Sequence, residues 1–363
     1  MSDHKSRITQ VLWSLGRAGA ERMVFDLVSC LKDRYDMRLV AAGGGGAMEA
    51  EFRSLGIDVV VVPSHLDKHA LLKCLSRELR EHRPDLLHTH LGGDVWAGIP
   101  AWWQRVHPWI STAHNEDQDD PWMRHMLRSW AAKRTDHTVC VSHVVKMYTH
   151  NEFATPLQRL SVIPNGIDVS LIEPRPPRPF HDVPRLLVVG RLVKQKGHEL
   201  LLRGLVPVKR PWHLDICGDG PERVRLERLT ESLGLLPRVT FHGVVSDIQR
   251  RLTRADVFCL PSRWEGQSLA MLEAAATAVP MVLSDLPVFH EWFDAASATF
   301  AAVDGPDAWT RAIEEVLKNH SLAIARAMRA REIVVKRGTR EVMAESYAAV
   351  YDRWLKTYAH SSR

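Results

Sequence analysis

Ile172-Glu-Pro-Arg-Pro-Pro-Arg-Pro-Phe-His-Asp-Val-Pro-Arg-Leu-Leu-Val-Val189 decides the architecture of this chain. Five prolines (Pro174, Pro176, Pro177, Pro179, Pro184) crowd its first part, and the last five residues read as a buried strand. Each proline removes a backbone donor and fixes φ, so neither a helix nor a central strand survives that density. The reading is an interdomain linker over 172–184 with a second domain starting at the strand behind it. Working back toward the N-terminus, strand-like runs fall at 8–13, 38–42, 58–62, 86–90, 109–113 and 137–141. Working forward they recur at 185–189, 213–217, 239–242, 256–260 and 281–284, and the chain beyond Trp309 is almost all of helical period. β-Branched runs alternating with helices predict parallel sheets. The expected architecture is α/β, two Rossmann-like doubly wound domains: 1–171 and 185–344. Ligands in such sheets bind off the carboxyl ends of the strands where the strand order reverses. Two domains facing each other would bring substrates together in the cleft between them.

Length and composition agree. A chain of 363 residues is too long for one ordinary core and suits two. With 45% hydrophobic and 25% charged residues it has the composition of a globular protein, which argues against disorder or a collagen-like repeat. No run approaches the ~20 apolar residues needed to span a bilayer. The N-terminus shows no signal core, so the expected localisation is cytoplasmic. Five scattered cysteines, none in a C-x-x-C pair, suggest thiols in a reducing compartment rather than bridges or a zinc site. The formal charge of +5 suits anionic ligands or an anionic membrane surface.

The chemistry concentrates in two places. In Pro261-Ser-Arg-Trp-Glu-Gly-Gln-Ser-Leu-Ala-Met-Leu-Glu273 a strand ends, a short loop carries Glu265 and Gly266, and a helix begins near Gln267 or Ser268. Amides at a helix start form a ready site for phosphate oxygens. Glu273, more than a turn inside, could accept from a ribose diol. A solvated-loop reading of Glu265 and a helix-surface reading of Glu273 have about equal weight from spacing alone. In Val189-Gly-Arg-Leu-Val-Lys-Gln-Lys-Gly197, Gly190 ends a strand, and Arg191 and Lys196 set two cations beyond it. A guanidinium fork and an ammonium both suit phosphate.

Gly-Arg-Leu-(x)3-Lys-Gly, Glu-(x)7-Glu and Val162-Ile-Pro-Asn-Gly-Ile-Asp168 resemble the motifs of the retaining GT-B glycosyltransferases of family 4. Leu15-Gly-Arg-Ala-Gly-Ala-Glu-Arg22 and Cys217-Gly-Asp-Gly-Pro-Glu222 extend the likeness over nearly the whole chain. The resemblance implies a retaining, metal-independent transfer from a nucleotide-diphosphate sugar, UDP- or GDP-linked, to an acceptor hydroxyl, with no bound cofactor and no nucleic-acid partner. It implies an acceptor that is a glycan or lipid-linked, in cell-surface glycan synthesis. It assigns Arg191 and Lys196 to the diphosphate, Glu273 to the ribose and Glu265 to the transferred sugar ring. His114 would contact the sugar near the reacting carbon. Gly16 and Gly19, in the first glycine turn, and Gly190, Gly266, Gln267, Ser268 and Leu269 complete the donor-binding set. A C-terminal helix, about 345–363, would cross back to the first domain.

The sequence departs from the family in two places. Gln267-Ser268 stands where Phe-Gly is common, offering two further hydrogen-bonding side chains. Ala18 stands where a second adjacent glycine is common, and a Cβ there restricts positive φ.

Three weaker signals favour structural roles. Asp117-Gln-Asp119 is a metal-type D-x-D, but it falls in an acidic loop of the wrong domain. His88-Thr-His90 has no evident third ligand and reads as a strand terminus. The glycines at 43–46 lack the Lys-Ser/Thr of a P-loop and read as a flexible turn. Between residues 96 and 134, Trp96, Trp102, Trp103, Trp109, Trp122 and Trp130 interleave with Arg105, Arg124, Arg128, Lys133 and Arg134. That mixture suits peripheral contact with the inner face of a membrane, or equally a core or sugar-binding surface. Two competing functions stay open: an epimerase or hydrolase of the same fold, and a non-catalytic sugar-nucleotide-binding subunit.

Overall fold

The computed structural model describes residues 5–116 and 121–361. It divides into two compact units. One is the chain up to Gly166 together with the segment from Arg340 onward; the other is Ile167–Thr339.

In the first unit, strands β1 (Arg7–Leu12), β2 (Asp36–Ala41), β3 (Asp58–Val61), β4 (Leu86–His90), β5 (Trp109–Ala113), β6 (His137–Cys140) and β7 (Leu160–Val162) form one sheet. Every pairing is parallel and the order is β3-β2-β1-β4-β5-β6-β7. Met23, Val24, Leu27, Val28 and Leu31 make the helical stripe that Gly19–Leu31 buries on this sheet. Met343, Ala344, Tyr347, Ala348 and Tyr351 make a second such stripe, on the C-terminal helix Arg340–Ser361, in the same core. Parallel sheets need cover on both faces. Lys68–Glu81 supplies part of it, with Leu71, Leu75 and Leu79 buried and Asp67 capping its start by accepting from the Ala70 N–H at 2.8 Å.

The second unit repeats the plan with β8 (Arg185–Val189), β9 (His213–Cys217), β10 (Val239–Gly243), β11 (Val257–Leu260), β12 (Met281–Ser284) and β13 (Thr299–Ala301). The order is β10-β9-β8-β11-β12-β13, again all parallel. Two Rossmann-like α/β domains therefore form. Their strand order reverses between β1 and β4 and between β8 and β11, which marks where a ligand site is expected in each.

The domain limits differ from those expected. Residues 172–184 do not bridge two domains; they pack within the second unit. The prolines exclude a ladder, and side chains take its place. Asp256 is fully buried and collects Arg178 Nη1 at 2.8 Å and His181 Nδ1 at 2.7 Å, with Arg175 Nη2 at 3.5 Å. A buried carboxylate needs such partners. The chain instead changes unit at Gly166/Ile167 and at Thr339/Arg340, so 167–171 belong to the second unit and 340–344 to the first. The run at 43–46 is no free turn either: Gly43 N–H donates to Trp13 O at 2.6 Å and Leu15 N–H to Gly45 O at 3.3 Å.

Candidate active site

In the second unit the site is built where β8, β9 and β11 end. Backbone bonds lock the three loops together. Gly190 N–H donates to Cys217 O at 3.0 Å, Leu192 N–H to Asp219 O at 2.9 Å and Arg263 N–H to Gln195 O at 2.7 Å. The Gln195 amide also donates to Trp264 O at 3.0 Å. Side chains do not fit between loops this close. A Cβ on Gly218 would lie 1.9 Å from Gly190 O, and Gly218 holds φ +145°; a Cβ on Gly197 would lie 1.9 Å from Pro261 O, and Gly197 holds φ +60°. Both glycines are thus required by close approach and by backbone angle.

This packing carries Lys196 onto Glu265, where the ammonium and carboxylate form an ion pair. Glu265 is only 5% exposed, and its Oε1 also accepts from Ser262 Oγ at 2.7 Å. Arg191 is exposed on the same loop as Lys196. Gly266, Gln267 and Ser268 are buried between Glu265 and the helix Leu269–Ala276. Ser268 caps that helix, its Oγ accepting from Met271 N–H at 3.3 Å, which gives the departure from glycine a local structural use. Glu273 lies half-buried further along the same helix.

In the first unit Gly16 lies in the turn after β1, and Gly19 is the first residue of the helix Gly19–Leu31. Ala18 takes φ −121° and ψ 179°, extended backbone in which a Cβ costs nothing. The Ala18 departure therefore leaves a regular helix start. His114 directly follows β5, with Nε2 3.1 Å from His90 Nδ1. Nearby chemistry includes Asp94, whose Oδ1 accepts from Thr89 Oγ1 at 2.7 Å. Burial pushes the Asp94 carboxyl up to about 7, against the Thr89 hydrogen bond and the charge of Arg128. Burial also holds the His114 imidazole down at about 3, helped by Arg128.

The structure thus joins Lys196, Glu265 and the 266–268 backbone in one unit and sets Gly16, Gly19 and His114 in the other. Ser262, Gln195 and Asp94 do not stand out in the sequence, where a lone serine, glutamine or aspartate carries no spacing signal. His88 and His90 share one face of β4, and their ring nitrogens meet Tyr351, Thr112, His114 and Gln10. Asp117-Gln-Asp119 lies outside the described residues.

The buried imidazoles give the fold an acid limit. Burial holds His88, His114 and His198 at about 3, from an ordinary 6.5. Between those values the unfolded chain binds protons that the folded chain does not, so stability falls as pH drops through that window. Thermal unfolding should show a lower Tm at pH 5 than at pH 7.5. Asp94, held up to about 7, acts in the opposite direction, but one carboxyl offsets only part of the effect of three rings. An unchanged Tm would therefore show that the rings take up protons in the fold.

Among the described residues, no helix is long and apolar enough to cross a membrane. Two family models match the chain one after the other: Glycosyltransferase Family 4 over residues 17–171 and Glycosyl transferases group 1 over 172–333. A subunit of the phosphatidylinositol N-acetylglucosaminyltransferase of Arabidopsis thaliana is 30% identical over 226 residues, 61% of this chain and 50% of that protein. The lipopolysaccharide core biosynthesis glycosyltransferase LpsE of Rhizobium meliloti is 30% identical over 168 residues, 46% of this chain and 49% of that one. The matches thus span about half the length of these curated relatives. The crystal structure of Anabaena Alr3699/HepE in complex with UDP-glucose superimposes with a TM-score of 0.87 at 17% identity, covering 96% of this chain and all of that one. That likeness identifies the fold as GT-B. With both halves matched in order, the chain belongs to the group 1, family 4 glycosyltransferases.

Proposed function

We propose that the protein transfers a sugar from a nucleotide diphosphate to an acceptor hydroxyl with retention of anomeric configuration and without a metal ion. The observation that carries this reading is the Lys196–Glu265 pair, buried at the strand-order switch beside exposed Arg191 and a capped helix start. Lys196, Arg191 and the 266–269 amides take the charge that develops on the leaving diphosphate. Glu273 holds the ribose, Glu265 orients the transferred ring, and His114 hydrogen-bonds the sugar. The bond from the anomeric carbon to the phosphate oxygen breaks as the acceptor oxygen approaches on the same face. The acceptor proton passes to the departing phosphate. Glu265 Oε1 is already engaged by Lys196 and Ser262, which favours this route over a covalent glycosyl-Glu265 intermediate.

Relatives support the substrate classes. The HepE complex holds UDP-glucose, and the lipopolysaccharide and phosphatidylinositol relatives are named for glycan and glycolipid synthesis. A thermal-shift screen of UDP-, GDP-, ADP- and CMP-sugars, followed by NMR of products, tests the reading. Stabilisation by one donor and an α- or β-linkage matching that donor supports it. An epimerised donor, or free sugar with no transfer, replaces it with the epimerase or hydrolase alternative.

The acceptor reading extends to the membrane. Trp102, Trp103, Trp122, Met123 and Met126 are exposed, beside exposed Arg105, Arg124 and Lys133. Trp109, by contrast, is core. Trp102 stacks edge-on with Trp130 at 5.9 Å, and Arg134 lies over both rings, so the two helices carrying the patch are braced together. Exposed indoles with cations suit an anionic lipid interface. Flotation with anionic liposomes at low salt should recover the protein, and Trp103→Ala/Trp122→Ala should abolish at least most of that recovery. Equal recovery of the variant would remove this patch from the membrane reading.

A further inference from the structure

A run of buried hydrogen bonds leaves His114 and passes through the first sheet to the C-terminal helix. His114 Nε2 lies 3.1 Å from His90 Nδ1, and His90 Nε2 lies 2.9 Å from Gln10 Oε1. The Gln10 amide nitrogen donates to Tyr351 OH at 3.0 Å. Tyr351 OH lies 2.6 Å from His88 Nδ1, and His88 Nε2 lies 2.8 Å from Thr112 Oγ1. Thr112 Oγ1 then meets Tyr347 OH at 3.1 Å. Every member except half-buried His114 is at most 1% exposed. The run therefore binds three strands, β1, β4 and β5, to two tyrosines more than 230 residues later in the chain.

A neutral imidazole has one donor nitrogen and one acceptor nitrogen, so each link dictates the next. Gln10 Oε1 only accepts, which puts the His90 proton on Nε2. His90 Nδ1 must then accept, and His114 Nε2 must donate to it. On the other side Tyr351 receives from Gln10 and so gives its own proton to His88 Nδ1. His88 Nε2–H donates to Thr112 Oγ1, which also hydrogen-bonds Tyr347 OH. One amide orientation, at Gln10, sets the sense of the run from His114 to Thr112. Arg128 on the helix Trp122–Ala132 adds a positive charge that disfavours a second proton on His114. Burial keeps His88 and His90 neutral as well.

We infer that this run holds His114 as the neutral tautomer protonated on Nε2, with Nδ1 presented as an acceptor for a substrate hydroxyl, and that Gln10, His90 and Tyr351 are positioning residues for it. The importance of His114 to substrate rests on the proposed function; the tautomer does not. An Nδ1 acceptor takes a hydrogen bond from a sugar hydroxyl and gives none, so it selects for a free hydroxyl at that position. A substrate with an oxygen lacking hydrogen there, as in a methyl ether, is rejected.

Side-chain nitrogen NMR of the full-length, ¹⁵N-histidine-labelled protein tests the inference, with His114→Gln identifying the His114 signals. At neutral pH the wild type should show a protonated, pyrrole-type Nε2 and a pyridine-type Nδ1. Gln10→Leu and Tyr351→Phe should each mix the two tautomers at His114. The same variants should lower kcat at least tenfold while changing donor KM less than about twofold, because the diphosphate grip is untouched. Tyr351→Phe retains the ring, so it reports even where Gln10→Leu does not fold. A wild-type proton on Nδ1, or a His114 tautomer unchanged in a folded Tyr351→Phe protein, overturns the inference. A single Nε2–H tautomer in the wild type that becomes mixed in the variants, in a protein that transfers no sugar, would leave the tautomer assignment standing and overturn the proposed function alone.

Discussion

Lys196→Ala is expected to lower kcat/KM for the sugar donor by about a hundredfold or more, equivalent to ~2.7 kcal/mol or more, the typical loss when one group aimed at developing charge is removed. The ammonium is fixed before substrate arrives. Gly197 turns the chain immediately behind it, Gln195 grips Trp264 O in front of it, and Glu265 holds its tip. A charge placed in advance costs no reorganisation when the diphosphate departs. The substitution also strips Glu265 of its cation, and an unpaired buried carboxylate typically costs about 3–5 kcal/mol. Lys196→Ala/Glu265→Gln removes that second penalty, so a Tm restored toward wild type without restored activity separates the folding cost from the loss of turnover. Lys196→Arg keeps the charge but replaces a compact ammonium with a planar fork, so recovery should be partial. Initial rates and donor titrations by thermal shift measure all three. A folded Lys196→Ala enzyme within twofold of wild type would take this lysine out of the site.

Gly218→Ala is expected to be the most damaging single-methyl change in the second unit, costing about 3 kcal/mol or more. Two independent penalties add. The φ of +145° lies outside the territory of L-residues, and the new Cβ would sit 1.9 Å from a backbone oxygen, Gly190 O. The neighbour cannot rotate away as a side chain could. Relief requires the loop bearing Gly190 and Arg191 to retreat, so donor affinity should fall together with stability. At roughly 2–4 °C per kcal/mol for a unit of this size, the Tm should drop by about 6–12 °C. Calorimetry with and without donor would measure it. A Tm within 2 °C of wild type would show that the three loops are not as tightly interlocked as their hydrogen bonds indicate.

Much of the fold is legible in the sequence because its signals are local. All strands but two read from short β-branched runs flanked by turns, and helical stripes such as 343, 344, 347, 348 and 351 are visible as spacing. The two that escape, β7 and β13, have three residues each, too few for any period to register. The proline-rich segment misleads for a different reason. Its composition correctly excludes regular structure, yet its place depends on Asp256, a residue 75 positions or so away whose burial no local pattern announces. The same holds at the site. Glycines, cations and glutamates stand at fixed offsets and can be read. Ser262 on Glu265 and the partners of His88 and His90 come from strand pairing and from a helix at the far end of the chain, so only the folded molecule brings them into view.

The first unit is completed by a helix that follows the whole second unit in the chain. During translation the early strands emerge with Gln10, His88 and Thr112 lacking the phenolic oxygens that satisfy them, while Ile167–Thr339 already contains everything its own sheet requires. The second unit should therefore complete its fold first, with the first sheet left open to chaperones until Arg340–Ser361 has emerged.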